Sequence, residues 1–167
     1  GENGAGKSTA MKILYGQYPP DSGEIWVDSV RRFWASSADS IAAGFGMVHQ
    51  HFMLAGCHNA VENVLLAAGG PACGLLSFSA ARARLEALMK EFQMKIRLDL
   101  PVERLSGGEQ QRVEILKLLY RDSEVLILDE PTAVLAPQEI DGLFATLKGM
   151  AKRGKTIFLL LSDSTNA

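Results

Sequence analysis

The chain opens on Gly1-Glu2-Asn3-Gly4-Ala5-Gly6-Lys7-Ser8-Thr9, and this stretch decides the fold class. It fits the pattern G-x-x-x-x-G-K-[ST], with Gly1, Gly6, Lys7 and Ser8 at the fixed positions and a helix-compatible run behind them. Gripping a polyphosphate takes several converging backbone N–H groups, so the chain must wrap closely around the anion. Side chains obstruct that approach and forbid the dihedrals it needs, which is why glycines recur. The loop then feeds a helix N-terminus, whose unpaired N–H groups and dipole favour negative charge. Lys7 brings a full positive charge to the β and γ phosphates, and the Ser8 hydroxyl is a hard oxygen ligand suited to Mg²⁺. The plainer alternative, a glycine-rich turn with an incidental lysine, is disfavoured by the length of the pattern.

Composition sets the frame. At 167 residues the chain suits one domain with a substantial core. A hydrophobic fraction of 47% with 22% charged residues reads as soluble and globular rather than disordered or fibrous. The formal net charge is −2 and no basic block appears, so nothing favours a grip on nucleic acid. Cys57 and Cys73 match no metal-ligand spacing and read as free thiols of a cytosolic protein. His49, His51 and His58 are not read as a metal site. No apolar run approaches the length of a membrane span, and no signal peptide is visible. A phosphate loop needs a strand leading into it. None precedes Gly1, so the expectation is a fragment, cut at the N-terminus and at the C-terminus as well.

Taken in order, a helix through Ala10, Met11, Ile13 and Leu14 runs to about Tyr15 and ends at Gly16, before the turn cluster Pro19-Pro20-Asp21-Ser22-Gly23. Glu24-Ile25-Trp26-Val27-Asp28 alternates polar and apolar residues, as a half-exposed strand does. A short helix follows over residues 37–43, then a buried strand Gly46-Met47-Val48-His49. Residues 59–94 turn helical, with Val61, Val64 and Leu65 on one stripe and Ala81, Leu85, Leu88, Met89 and Phe92 on another. Gly69-Gly70-Pro71 and Gly74 divide the two, and the stripes read as packing. Pro137 starts a last helix carrying Ile140, Leu143, Phe144 and Leu147, closed by Gly154. Residues 156–161 form the final strand. Strands alternating with helices imply an α/β fold with a mostly parallel sheet.

Three further positions carry chemistry. Gln50 ends a strand; a neutral amide there can complete a Mg²⁺ shell or orient water, although a lone glutamine is more often a surface residue. Ser106-Gly107-Gly108-Glu109-Gln110 opens a helix continued by Val113, Ile115, Leu116 and Leu119. Ser106 as cap with Glu109 three residues on makes a capping box. That leaves the paired glycines unexplained, because they weaken a helix start unless backbone must approach something closely, as at an anion. Finally, Val125-Leu126-Ile127-Leu128 reads as a strand buried on both faces, and it ends in Asp129-Glu130. Carboxylates at that end of a strand sit where open α/β sheets place ligands. Asp129 can hold Mg²⁺ through water, and Glu130 can act as general base on an attacking water.

Together these residues resemble the ATP-binding cassette family, the ATPase subunits of ABC transporters. Gly1, Asn3, Gly4, Ala5, Gly6, Lys7, Ser8 and Thr9 look like its Walker A loop, Gln50 its Q-loop, Leu105 to Gln110 its signature motif, and Val125 to Glu130 its Walker B strand with catalytic glutamate. The wording Met47-Val48-His49-Gln50-His51-Phe52-Met53-Leu54 and Glu130-Pro131-Thr132-Ala133-Val134-Leu135 is similar to importers of sugars and nucleosides, nearest to the first of two fused cassettes.

The resemblance implies a P-loop core over residues 1–50 and 103–167 with a helical insertion over 51–102. It implies ATP and Mg²⁺ as ligands, with Ser8, Gln50 and Asp129 at the metal and Glu130 and Gln50 in catalysis. Ser106, Gly107, Gly108 and Gln110 would face the ATP of a second cassette, fused or dimeric. Transmembrane permease subunits would dock near Gln50 and the insertion, with a solute-binding protein acting indirectly, on the cytoplasmic side of the membrane. The chain also departs from the family. Its loop after Walker B ends in Ala136 rather than aspartate, and Ser162 stands at the switch-histidine position. A hydrolysis-impaired binding half and a non-transport soluble ABC ATPase are the alternatives.

Overall fold

Helix and strand alternate along most of the chain in the computed structural model, which describes residues 6–69 and 77–161. In chain order come α1 (Lys7–Leu14), β1 (Ile25–Val27), β2 (Val30–Arg32), α2 (Ser37–Ala42), β3 (Phe45–Val48), α3 (Ala60–Ala67), α4 (Phe78–Glu91), a 3-10 turn (Val102–Arg104), α5 (Gly107–Tyr120), β4 (Val125–Asp129), α6 (Pro137–Lys152) and β5 (Thr156–Leu160).

The central sheet is parallel, in the order β3-β4-β5. Val48 pairs with Leu128, and Leu128 with Leu159, so the three carboxyl ends lie at one edge. Strand side chains alternate between faces, and two apolar clusters result. Leu126 and Leu128 join Val48, Ile115, Leu116, Leu147 and Met150 on one side. Ile127 joins Phe45, Met47 and Leu160 on the other, where Met11, Leu14, Tyr15 and Trp34 pack. Leu126, Ile127 and Leu128 are wholly buried, each contributing about 1.5–3 kcal/mol. This is the two-sided burial their unbroken apolar run implies.

Helix α5 is the hub. It packs against α3, α4, α6 and β3, and Val113, Ile115, Leu116 and Leu119 on it are buried. The stripes Val61/Val64 and Ala81/Leu85 belong to the same core cluster as Leu128 and Met150, so α3 and α4 share the apolar interior of the sheet. Arg82 forks onto Asp99, and Arg84 reaches Asp122 while lying 4.7 Å from the Tyr120 ring centroid.

One element differs from the sequence expectation. Asp28 does not extend the strand at residues 24–28; with Ser29 it forms the corner of a hairpin, both at positive φ (51° and 63°). Two successive residues in that region fit a type I′ turn, and β2 then runs back antiparallel, pairing Val27 with Val30 and Ile25 with Arg32. Gly16 ends α1 at φ 77°, and a Cβ there would meet the Ser36 carbonyl oxygen at 2.9 Å. Among the described residues, no helix is long and apolar enough to cross a membrane.

Candidate functional site

The parallel register delivers three chain segments to the carboxyl edge of the sheet. Past β3 the chain reaches His49 and Gln50, β4 ends at Asp129 with Glu130 next, and β5 leads to Leu161. Over this edge stands the N-terminus of α1. Gly6 is its N-cap at φ 76°, a dihedral that calls for glycine, and among the described residues a Cβ there would meet nothing within 4 Å. The cap has no side-chain hydrogen bond and the first turn no acidic residue. Its N–H groups and dipole are therefore presented to an anion.

Three hydrogen bonds tie the constellation together. Ser8 Oγ donates to Asp129 Oδ1 at 3.0 Å, joining positions 121 residues apart. Gln50 Nε2 donates to Glu130 Oε2 at 3.2 Å. Lys7 Nζ reaches the Leu161 carbonyl at 3.2 Å. Asp129 is buried at the strand end, whereas Glu130 turns outward with its backbone at φ 49° and its N–H bonded to the Leu160 carbonyl at 3.0 Å. A non-glycine residue held there stores roughly 1–3 kcal/mol of strain. The donor set at Ser8 is all oxygen: its own hydroxyl and the Asp129 carboxylate. One or two carboxylates plus a hydroxyl fit Mg²⁺, which takes its remaining ligands from phosphate and water.

Gln50 belongs to a loop fastened to α5. Glu114 Oε1 accepts from the Met53 N–H at 2.6 Å, and Lys117 Nζ donates to the Met53 carbonyl at 2.8 Å and to Glu114 Oε2 at 2.9 Å. Asn63 holds the next turn, accepting from the Ala55 N–H and donating to the carbonyls of Ala55, His58 and Asn59. His49 packs edge-on to Tyr15, and burial pushes its imidazole below the usual histidine range. His58 pairs with Glu62 at 3.3 Å.

The start of α5 lies in a different set of contacts. Ser106 caps it, accepting from the Glu109 N–H, while the Glu109 carboxylate accepts from the Ser106 N–H. Arg97 grips that carboxylate through Nε (2.9 Å) and Nη2 (2.5 Å) and, with its backbone N–H, at 3.2 Å. These bonds, the guanidinium first, hold the Glu109 carboxyl down at about 2. Gln110 Nε2 donates to the Leu105 carbonyl. Glu139, in the first turn of α6, accepts from Ser106 Oγ at 2.8 Å and from the Gly108 N–H at 3.1 Å.

The structure thus brings Lys7, Ser8, Gln50, Asp129 and Glu130 to one edge, gives Ser106, Gly108 and Gln110 partners of their own, and sets Gly107 at the start of α5 between Ser106 and Gly108. Thr9 lies exposed on α1. Gly1, Asn3, Gly4, Ala5, Cys73 and Ser162 fall outside the described residues. Arg97, Glu114, Lys117 and Glu139 were not among the residues picked from the sequence. The Glu109–Ser106 box and the i,i+3 pair Glu114–Lys117 had local signals; the contacts of Arg97 and Glu139 with the start of α5, and of Glu114 and Lys117 with Met53, are met across the fold.

The profile described as ABC transporter matches residues 1–133. The chain belongs to the ABC transporter family. Its family relatives include the glucose import ATP-binding protein of Haloferax volcanii, 42% identical over 188 residues, covering 96% of this chain and 34% of that protein. The nucleoside import ATP-binding protein NupA of Lactococcus lactis is also 42% identical, over 160 residues, covering 96% of this chain and 32% of that protein. The chain therefore spans about a third of the length of the curated relatives it matches. A dimeric ATP-binding cassette in a post-hydrolysis state, bound to ADP and Pi, superposes with a TM-score of 0.76 at 27% identity, covering 95% of this chain and 70% of that one.

Proposed function

We propose that this ABC cassette binds MgATP at the carboxyl edge of its sheet and hydrolyses it to power solute uptake, as the ATPase part of a nucleoside or simple-sugar importer. The observation that carries the reading is the hydrogen bond from Ser8 to Asp129, which joins the phosphate-loop helix to the acidic strand end. Mg²⁺, when bound, neutralises phosphate charge. Gly1, Asn3, Gly4, Ala5, Gly6, Lys7, Ser8 and Thr9 would hold the nucleotide's phosphates, Ser8, Gln50 and Asp129 the metal, and Gln50 lies hydrogen-bonded to Glu130, which takes the proton from the attacking water. Such a base is worth about 10²–10⁴ in rate. Ser106, Gly107, Gly108 and Gln110 act on the nucleotide of a second cassette, fused or separate. The dimeric cassette relative bound to ADP and Pi supports that arrangement. The Gln50 loop and the helices after it face permease subunits at the cytoplasmic surface of the membrane, with a solute-binding protein acting indirectly and no nucleic acid involved.

The test is ATP affinity of the full-length protein with and without Mg²⁺. Lys7→Ala should weaken binding tenfold or more, and Asp129→Asn should remove the gain that Mg²⁺ brings. Equal affinity in both conditions for the parent protein would contradict the reading. Uptake of labelled nucleosides and sugars by cells carrying the full-length protein separates the solute classes. A second reading, favoured by Ser162 and Ala136, makes this cassette a binding half whose partner turns over.

A further inference from the structure

Paired glycines at a helix start let something come close, and here that something belongs to the same chain. A Cβ on Gly107 would lie 2.8 Å from the Val134 carbonyl oxygen. A Cβ on Gly108 would overlap the Glu139 carboxylate. That carboxylate fills the position an external anion would take at the N-terminus of α5: one oxygen, Oε1, accepts from both the Ser106 hydroxyl and the Gly108 N–H.

We propose that Glu139 is an intramolecular latch, occupying the Ser106 and Gly108 donors that would otherwise grip a phosphate of the second cassette's nucleotide, so that closure of the cassette pair displaces it. The proposal rests on the composite-site reading above. Three features support it. A carboxylate oxygen and a phosphate oxygen are both anionic acceptors, and the same two hydrogens cannot serve both well. Retained beside an incoming phosphate, the Glu139 charge would also repel it. Release is easy, because Oε2 accepts separately from the Ala136 N–H at 3.2 Å, so the side chain can swing away from α5 while still capping its own helix. Ala136 has no side-chain acceptor of its own, so Glu139 caps α6 through Oε2 while its Oε1 adds to the Ser106 cap of α5. The contact draws the Glu139 carboxyl below its usual range, the Ser106 hydroxyl being the first cause.

A competitor that must leave lowers apparent affinity by the fraction of time it is bound. The full-length protein, labelled for energy transfer between its two cassettes, is titrated with a non-hydrolysable ATP analogue. Glu139→Ala should reach half-closure at about three- to tenfold less nucleotide, since a solvent-screened contact with a charged group is lost from the open state alone. Glu139→Gln, which keeps an oxygen for the Ala136 N–H, should fall between it and the parent and serves if the alanine variant folds poorly. A purely structural cap predicts the opposite sign: more nucleotide, or none of the variant closing. Half-closure at the same or higher nucleotide in both variants overturns the latch. Failure of the parent protein to close at any concentration overturns the composite-site reading, and the latch with it.

Discussion

Replacing Glu109 by Gln isolates one charge at the start of α5. The amide keeps the capping geometry with Ser106 but loses the anion that Arg97 clasps through two nitrogens. The Glu109 carboxyl lies at about 2 against an ordinary 4.5, a drop whose ceiling is about 3.4 kcal/mol at roughly 1.36 kcal/mol per pH unit. Arg97 is 57% exposed, so water screens the pair and about 1–2 kcal/mol is the realistic share. Because the folded value is depressed, that stability is complete above pH 4.5 and is lost as the pH falls toward 2. Urea midpoints of the full-length protein and its E109Q variant between pH 7 and pH 3 provide the assay. The variant should be weaker by about 1–2 kcal/mol at pH 7, equivalent to roughly 2–8 °C in Tm for a domain of this size, with the gap closing as pH drops below 4.5. Arg97→Ala should erase most of the difference. A gap that stays constant across the range refutes the charge argument.

Two other substitutions follow from the same structure. Lys117→Met strands the buried Glu114 carboxylate and frees the Met53 carbonyl, which should cost about 3–5 kcal/mol in a denaturant titration. Glu130→Gly relieves the backbone held at φ 49°; set against the loss of one exposed bond from Gln50, it should leave stability raised by about 1 kcal/mol, measured the same way.

Local chemistry made much of the fold readable. The run Val125-Leu126-Ile127-Leu128 declares a strand buried on both sides, and its terminal carboxylates mark the ligand edge. Gly6-Lys7-Ser8 and the Ser106/Glu109 box announce helix starts through residue types that only a cap or phosphate loop needs. What stayed hidden depends on pairs far apart in sequence. Ser106 meets Glu139, and Lys117 meets the Met53 carbonyl, only once the folded chain brings their segments together, whereas the meeting of Ser8 and Asp129 follows from the metal site that the resemblance implies. The hairpin escaped notice because Asp28-Ser29 lacks the glycine that usually betrays a type I′ turn, and Val30-Arg31-Arg32 shows no alternation. The glycines at 107 and 108 announced a close approach, and only the folded chain identifies Val134 and Glu139 as what approaches.

The claim at the centre is that Glu130, set beside Gln50 at the edge where Ser8 meets Asp129, activates the water that attacks ATP. ATP turnover by the full-length protein carrying Glu130→Gln tests it most directly. The amide retains the hydrogen bond with Gln50 but accepts no proton, so turnover should fall by about 10²–10⁴ while nucleotide binding persists. Unchanged hydrolysis would contradict the account and assign turnover to the partner cassette.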